Sequence, residues 1–179
     1  MKDKNVLVKS QDVASKPEGI IKPICAKDTK IFSGQPKGWG ILKDRPERSV
    51  NLADLDYSFR LNAGLHTAVL MHQLFHAKNV CGSLGFAEAL LKAQNEGKEI
   101  FPPESRGKHE FIMTHTILLD EFSATNVAYF IYGHESKKWL LKFYGYDEGS
   151  KYPGFYERHG PNLMHGLLYT NVRLVRFRR

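Results

Sequence analysis

Between residues 111 and 146 the chain carries three β-branched and aromatic runs, joined by links long enough only for tight turns. The runs are residues 111–119 (Phe-Ile-Met-Thr-His-Thr-Ile-Leu-Leu), 127–132 and 139–146. Val, Ile, Thr, Phe, Tyr and Trp suit a pleated, half-buried surface. Links at residues 123–126 and 134–137 are of hairpin length. The segment therefore reads as an antiparallel meander. After a loop over residues 146–161, which holds Gly149, Pro153, Gly154, Gly160 and Pro161, strand character resumes over residues 163–177 as one or two strands.

Helical patterns precede the meander. Ser83 is placed to cap a helix whose buried stripe is Phe86, Ala87, Leu90, Leu91 and Ala93, with Gly97 as its stop. Asn51 is a second cap, and Leu52, Leu55, Phe59 and Leu61 supply helical spacing that runs on to about Lys78. Short strands over residues 29–32 and 39–42 flank a Gln35–Gly38 turn and read as a hairpin. The expected fold is α+β, with two central helices packed on one face of a mainly antiparallel sheet and a short N-terminal hairpin. Residues 1–28, Lys-rich and broken by Pro17 and Pro23, read as a flexible or extended N-terminal arm, and residues 29–179 as a single α+β domain.

With 42% hydrophobic residues, eleven Phe, eight Tyr and two Trp in 179 residues, a core forms without disulfides or a structural metal. Cys25 and Cys81 lack a CxxC or Cys/His spacing and read as free thiols in a reducing compartment. No apolar run approaches the roughly 20 residues that span a bilayer. The expectation is a soluble cytoplasmic protein with no membrane contact and no cofactor.

Charge is sorted along the chain. Residues 1–48 hold eleven Lys/Arg and six Asp/Glu, residues 49–135 six and ten, and residues 136–179 nine and three. Clustered bases attract polyanions. Arg173, Arg176 and Arg178 on the last strand, together with Lys137, Lys138 and Lys142 on the meander, are the candidate nucleic-acid contacts, with Tyr144, Tyr146 or Tyr152 available for stacking on bases. The alternative reading of these charges is an edge strand protected against association.

Candidate catalytic groups are His109, at the entry to the first meander strand, and Glu157, Arg158 and His159 in the long loop. They supply the base, phosphate clamp and acid of a metal-independent nuclease. His72 and His76, one helical turn apart, have a spacing that can hold a metal, but no Glu follows His72 and no third ligand is evident, so no metal is expected. GxSxG and a phosphate-binding glycine loop are both absent. The sequence thus favours a nucleic-acid-binding protein, in its stronger form a nuclease. Two other classes compete: a protein-interaction module that regulates a partner with an acidic surface, and a metal-dependent enzyme using His72 and His76.

Overall fold

Ten residues of strand-forming sequence need a partner on each side, and the meander supplies the first. The computed structural model describes residues 16–23, 38–60, 73–145 and 172–178. Within them β6 (Glu110–Leu119), β7 (Thr125–Gly133) and β8 (Lys138–Gly145) form an antiparallel meander. The β7–β8 register runs from Asn126 opposite Gly145 to Gly133 opposite Lys138. Asp120 shapes the first turn, its carboxylate accepting from the backbone N–H of Phe122 and Ala124 at 2.9 and 2.8 Å. Lys137 closes the second turn in the left-handed region at φ 53°.

The other edge of β6 is shared between two strands. Its first residues pair in parallel with β9 (Val172–Phe177), Glu110 opposite Val172 and Ile112 opposite Leu174. Its last residues pair antiparallel with β2 (Gly40–Asp44), Gly40 opposite Leu119. Beyond β9 lies β4 (Leu55–Asp56), while β5 (Val80–Cys81) pairs with the opposite side of β9, next to β6; both are antiparallel to β9. A separate two-stranded ladder joins β1 (Ile20–Ile21) to β3 (Val50–Asn51). The N-terminal segment is thus tied down where it is described, with Ile21 buried and Gly19 O accepting from Leu52 N at 2.9 Å.

Helix α1 (Leu84–Asn95) begins at Ser83, whose hydroxyl accepts from Phe86 N at 3.1 Å, and Gly97 follows it with φ 82°. Leu84, Phe86, Ala87, Leu90 and Ala93 are buried against the sheet. Gln94 locks the last turn to β8 by donating to Trp139 O (3.0 Å) and accepting from Trp139 N (2.8 Å). The core on this face is aromatic. Phe101 and Phe111 stack at 4.1 Å, and Phe130, Trp139 and Tyr57 meet them edge-on, an arrangement favoured by the ring quadrupoles. Ile112, Val127, Tyr129, Val172 and Leu174 form the opposite face.

The expectation of two central helices on a sheet is overturned. The structure is mostly sheet, and α1 is the one full α-helix among the described residues, which otherwise hold a helical turn at residues 73–76. Asn51 does cap, accepting from Ala53 N, but only a 3-10 turn, Leu52–Asp54. That single turn already buries Leu52 and Leu55, so helical spacing is satisfied without a helix. Leu55 then pairs with Phe177, a partner 122 positions away that local pattern could not reveal. The expected N-terminal hairpin falls partly outside the described residues. The strand near residues 39–42 is present as β2 and pairs with β6; residues 29–32 lie outside the described residues. No described helix is long and apolar enough to cross a membrane.

Where β6 changes partner, its register with β7 shifts between Met113 and Leu118. Phe111 and Met113 face α1, while beyond the shift it is Leu118 that does so and Ile117 that faces away. Gly82 fills the fork, its carbonyl accepting from His115 N at 2.8 Å. A Cβ at Gly82 would stand 2.8 Å from Thr114 N and 3.1 Å from Met113 Cα, both backbone atoms that cannot swing aside. Gly82→Ala is therefore expected to lower stability by at least about 2 kcal/mol, read as a reduced urea midpoint with an unchanged slope. A midpoint equal to wild type would show that the fork is loose.

Candidate functional site

Two polar constellations stand out, one closed and one open. The closed one fills the fork. Glu47 accepts from Gly82 N (2.6 Å), Ser83 N (3.0 Å), the Ser83 hydroxyl and His115 Nδ1 (2.9 Å). Both side chains are nearly sealed, at 5% exposure for Glu47 and 3% for His115. Beside them Thr116 donates to Asp44 and accepts from Leu84 N. Burial alone would raise the Glu47 pKa, but the bonds from His115, Ser83 and Gly82 outweigh it and hold the group below its ordinary range.

This constellation lacks the order of a nucleophilic triad. Ser83 bonds to the carboxylate rather than to the imidazole, and His115 Nε2 meets no partner among the described residues. Burial, then Glu47, pushes the nearby Cys81 thiol far up, so it stays protonated and inert. The fork is a structural knot.

The open constellation is a groove of about 840 Å³ along the β4–β9 edge. Its placement follows from register. Arg173 is opposite Phe111 on β6 and bridges to Arg60, while two residues before Phe111 stands His109, its N–H bonded to Ser105 O at 3.0 Å. Arg173 and His109 therefore share one end. Arg178 marks the other, with its Nε donating to Leu55 O at 3.0 Å and its N–H to Asp54 O at 2.9 Å. The two arginines are five positions apart along extended chain, roughly 16 Å. Tyr57 lies between them.

Electrostatics mark the Arg173 end as a gathering of like charges. Burial first, then Arg173, Lys108 and Arg60, depress the His109 pKa below 6.5, so its imidazole is neutral at pH 7. Burial and Arg60 likewise lower Arg173. The Tyr57 hydroxyl is buried with no hydrogen-bond partner among the described residues, and burial, followed by Cys81, keeps it a phenol. An unmet buried donor costs about 1–3 kcal/mol. Glu104 and Glu18 are exposed carboxylates on the groove wall, which Lys16 also lines.

The expected site residues divide. His109, Arg173 and Arg178 come together in the groove. Arg176 is turned to Asp56, to which its Nη2 and Nε donate at 2.7 and 3.3 Å, and stacks over Phe59 at 3.9 Å. Burial works to raise Asp56, but Ser58 and Arg176 prevail and bring its pKa to about 2. Lys137, Lys138 and Lys142 are exposed on the β7–β8 hairpin, with β7 and β6 between them and β9. Glu157, Arg158, His159 and His72 lie outside the described residues. His76 is exposed, and no group of three or more His, Cys, Asp or Glu among the described residues is arranged to hold a metal ion.

Tyr57, Glu104 and Glu47 were not anticipated. Tyr57 sat inside the segment read as helix, Glu104 in a charged loop without pattern, and Glu47 35 residues from Gly82. The role of Glu47 predicts its own pH signature. Its folded pKa lies below the ordinary 4.5, so its contribution is complete above about pH 4.5 and is lost as pH falls through the lower folded value. Glu47→Gln is expected to cost about 3 kcal/mol at pH 7 and to flatten the fall in stability below pH 4.5, both measured by urea unfolding across pH.

No protein-family model matches the chain, no curated protein matches it, and no solved structure matches it.

Proposed function

We propose that the chain binds single-stranded nucleic acid in the β4–β9 groove, one phosphate seated at Arg173 and His109 and another at Arg178. The observation that carries this reading is the gathering of the Arg173 and Arg178 guanidinium groups and the His109 imidazole in one groove. Cationic groups crowded together repel one another, and an anion placed among them relieves that repulsion. Guanidinium groups have five donors each, so bonds within the protein leave donors for phosphate oxygens. A volume of about 840 Å³ lies within the roughly 300–1,000 Å³ of ligand sites. Cleavage would draw on Glu157, Arg158 and His159, outside the described residues, so the proposal is one of binding.

Two phosphate seats roughly 16 Å apart are beyond the range at which substitutions couple. Arg173→Ala and Arg178→Ala are each expected to weaken binding of a single-stranded oligonucleotide and to reduce the slope of log K against log salt by about 0.7. The double variant should lose about twice that. Replacing Lys137, Lys138 and Lys142 together should leave affinity within about threefold, because they stand off the groove. Fluorescence anisotropy between 50 and 200 mM salt (about the range where such slopes are read) decides it. Unchanged affinity and slope in the double arginine variant would end the proposal.

His109 adds a pH test. It is neutral in the free protein and gains a favourable anion in the complex, so binding takes up a proton. Affinity should rise as pH drops below 6.5, and His109→Ala should abolish that rise.

A further inference from the structure

We infer that the outer edge of β8 docks an acidic partner protein, which adds an extended, Asp/Glu-bearing segment to the sheet as a further strand. Among the described residues the ladder with β7 accounts for one side of β8 only. In an antiparallel pair, residues alternate between bonding the neighbouring strand and pointing their N–H and C=O away from it. Trp139 belongs to the second set, because Gln94 donates to its carbonyl at 3.0 Å and accepts from its N–H at 2.8 Å. The Gln94 carboxamide thus answers the edge as a residue of an added strand would. Two and four residues on, Leu141 and Phe143 point the same way. Each offers one N–H and one C=O, and these outward groups meet no partner among the described residues. The edge is filled at Trp139 and open beyond it.

Charge decides the occupant. Trp139, Leu141 and Phe143 pack on the aromatic core. Lys138, Leu140 and Lys142 alternate with them on the other face, all exposed, and Lys137 adds a further charge at the turn. None of the three lysines is ion-paired among the described residues. An incoming strand meets this row as cross-strand neighbours, where opposite charges stabilise and like charges directly opposite destabilise. A segment with an acid on each side of an apolar residue matches Lys138, Leu140 and Lys142. A second copy of β8 does not, because it brings its own lysines against the first set. The same lysines that keep the edge from self-association therefore favour an acidic strand. A nucleic-acid backbone could use the lysines but would leave the open carbonyls of Leu141 and Phe143 unmet.

Amide-resolved NMR titration of the full chain with the capped peptide Glu-Thr-Val-Thr-Glu tests this, with Lys-Thr-Val-Thr-Lys as its charge-reversed control. The acidic peptide is expected to shift the Leu141 and Phe143 amides and slow their hydrogen exchange, and the basic one to leave both unchanged. Lys138→Glu combined with Lys142→Glu, two exposed changes, should weaken the acidic peptide about tenfold and admit the basic one. Gln94→Ala should extend the shifts to the Trp139 amide by freeing that position. The Arg173→Ala, Arg178→Ala double variant should bind the peptide as wild type does, which separates this edge from the groove. No shift at Leu141 and Phe143 at millimolar peptide, or equal binding of the two peptides, would overturn the inference. So would a dimer formed through β8, or an oligonucleotide that protects the same two amides.

Discussion

A single buried carboxylate holds together the parts of this sheet that sequence keeps apart. Glu47 follows β2, Gly82 and Ser83 open α1, and His115 lies in the irregular middle of β6, yet all three direct donors at its two oxygens. Backbone N–H groups at a helix start have no partner within the helix, and burying them unmet would be costly. A carboxylate there answers them and is itself favoured by the helix dipole. The arrangement works only because each donor is present, since an isolated buried charge costs several kcal/mol. It also fixes where β6 stops pairing with β9 and starts pairing with β2.

The groove follows from that change of partner. With β2 occupying the far half of β6, β9 is confined to the first residues, Glu110 to Ile112. This sets Arg173 against Phe111 and puts His109 at the same end. On the other side of β9 the short β4 pairs only through Leu55 and Asp56 before the Arg60 bridge, so the β4–β9 edge is partly open. Rigid aromatic packing beneath it, Phe101 on Phe111, gives the open edge a firm floor. Fold and groove are therefore linked through register rather than through any motif.

Register also explains what the sequence revealed. The meander and α1 were legible because their signals are local: β-branched and aromatic runs, hairpin-length links, the Ser83 cap and the Gly97 stop. Residues 51–56 were not, because Leu52 and Leu55 are three apart in a helix and equally well buried by one 3-10 turn, and the deciding partner is Phe177. At the groove, His109, Arg173 and Arg178 were picked out by residue type, although no pattern said that they meet. Tyr57 and Glu104 carried no type signal at all. Tyrosine and glutamate are common, and only the aromatic floor and the turn at Pro103–Ser105 make these two distinctive.

The sorting of charge along the chain has a related lesson. Nine bases in residues 136–179 suggested a positive face, but folding divides the described ones among separate environments. Arg176 is drawn to Asp56 from the acidic middle, 120 positions away. The hairpin lysines stay exposed two strands from β9. Only Arg173 and Arg178 reach the groove, and there they stand with a neutral imidazole, a phenol and carboxylates. A groove so mixed attracts polyanions less from a distance than a uniformly basic face would, since long-range steering follows net charge.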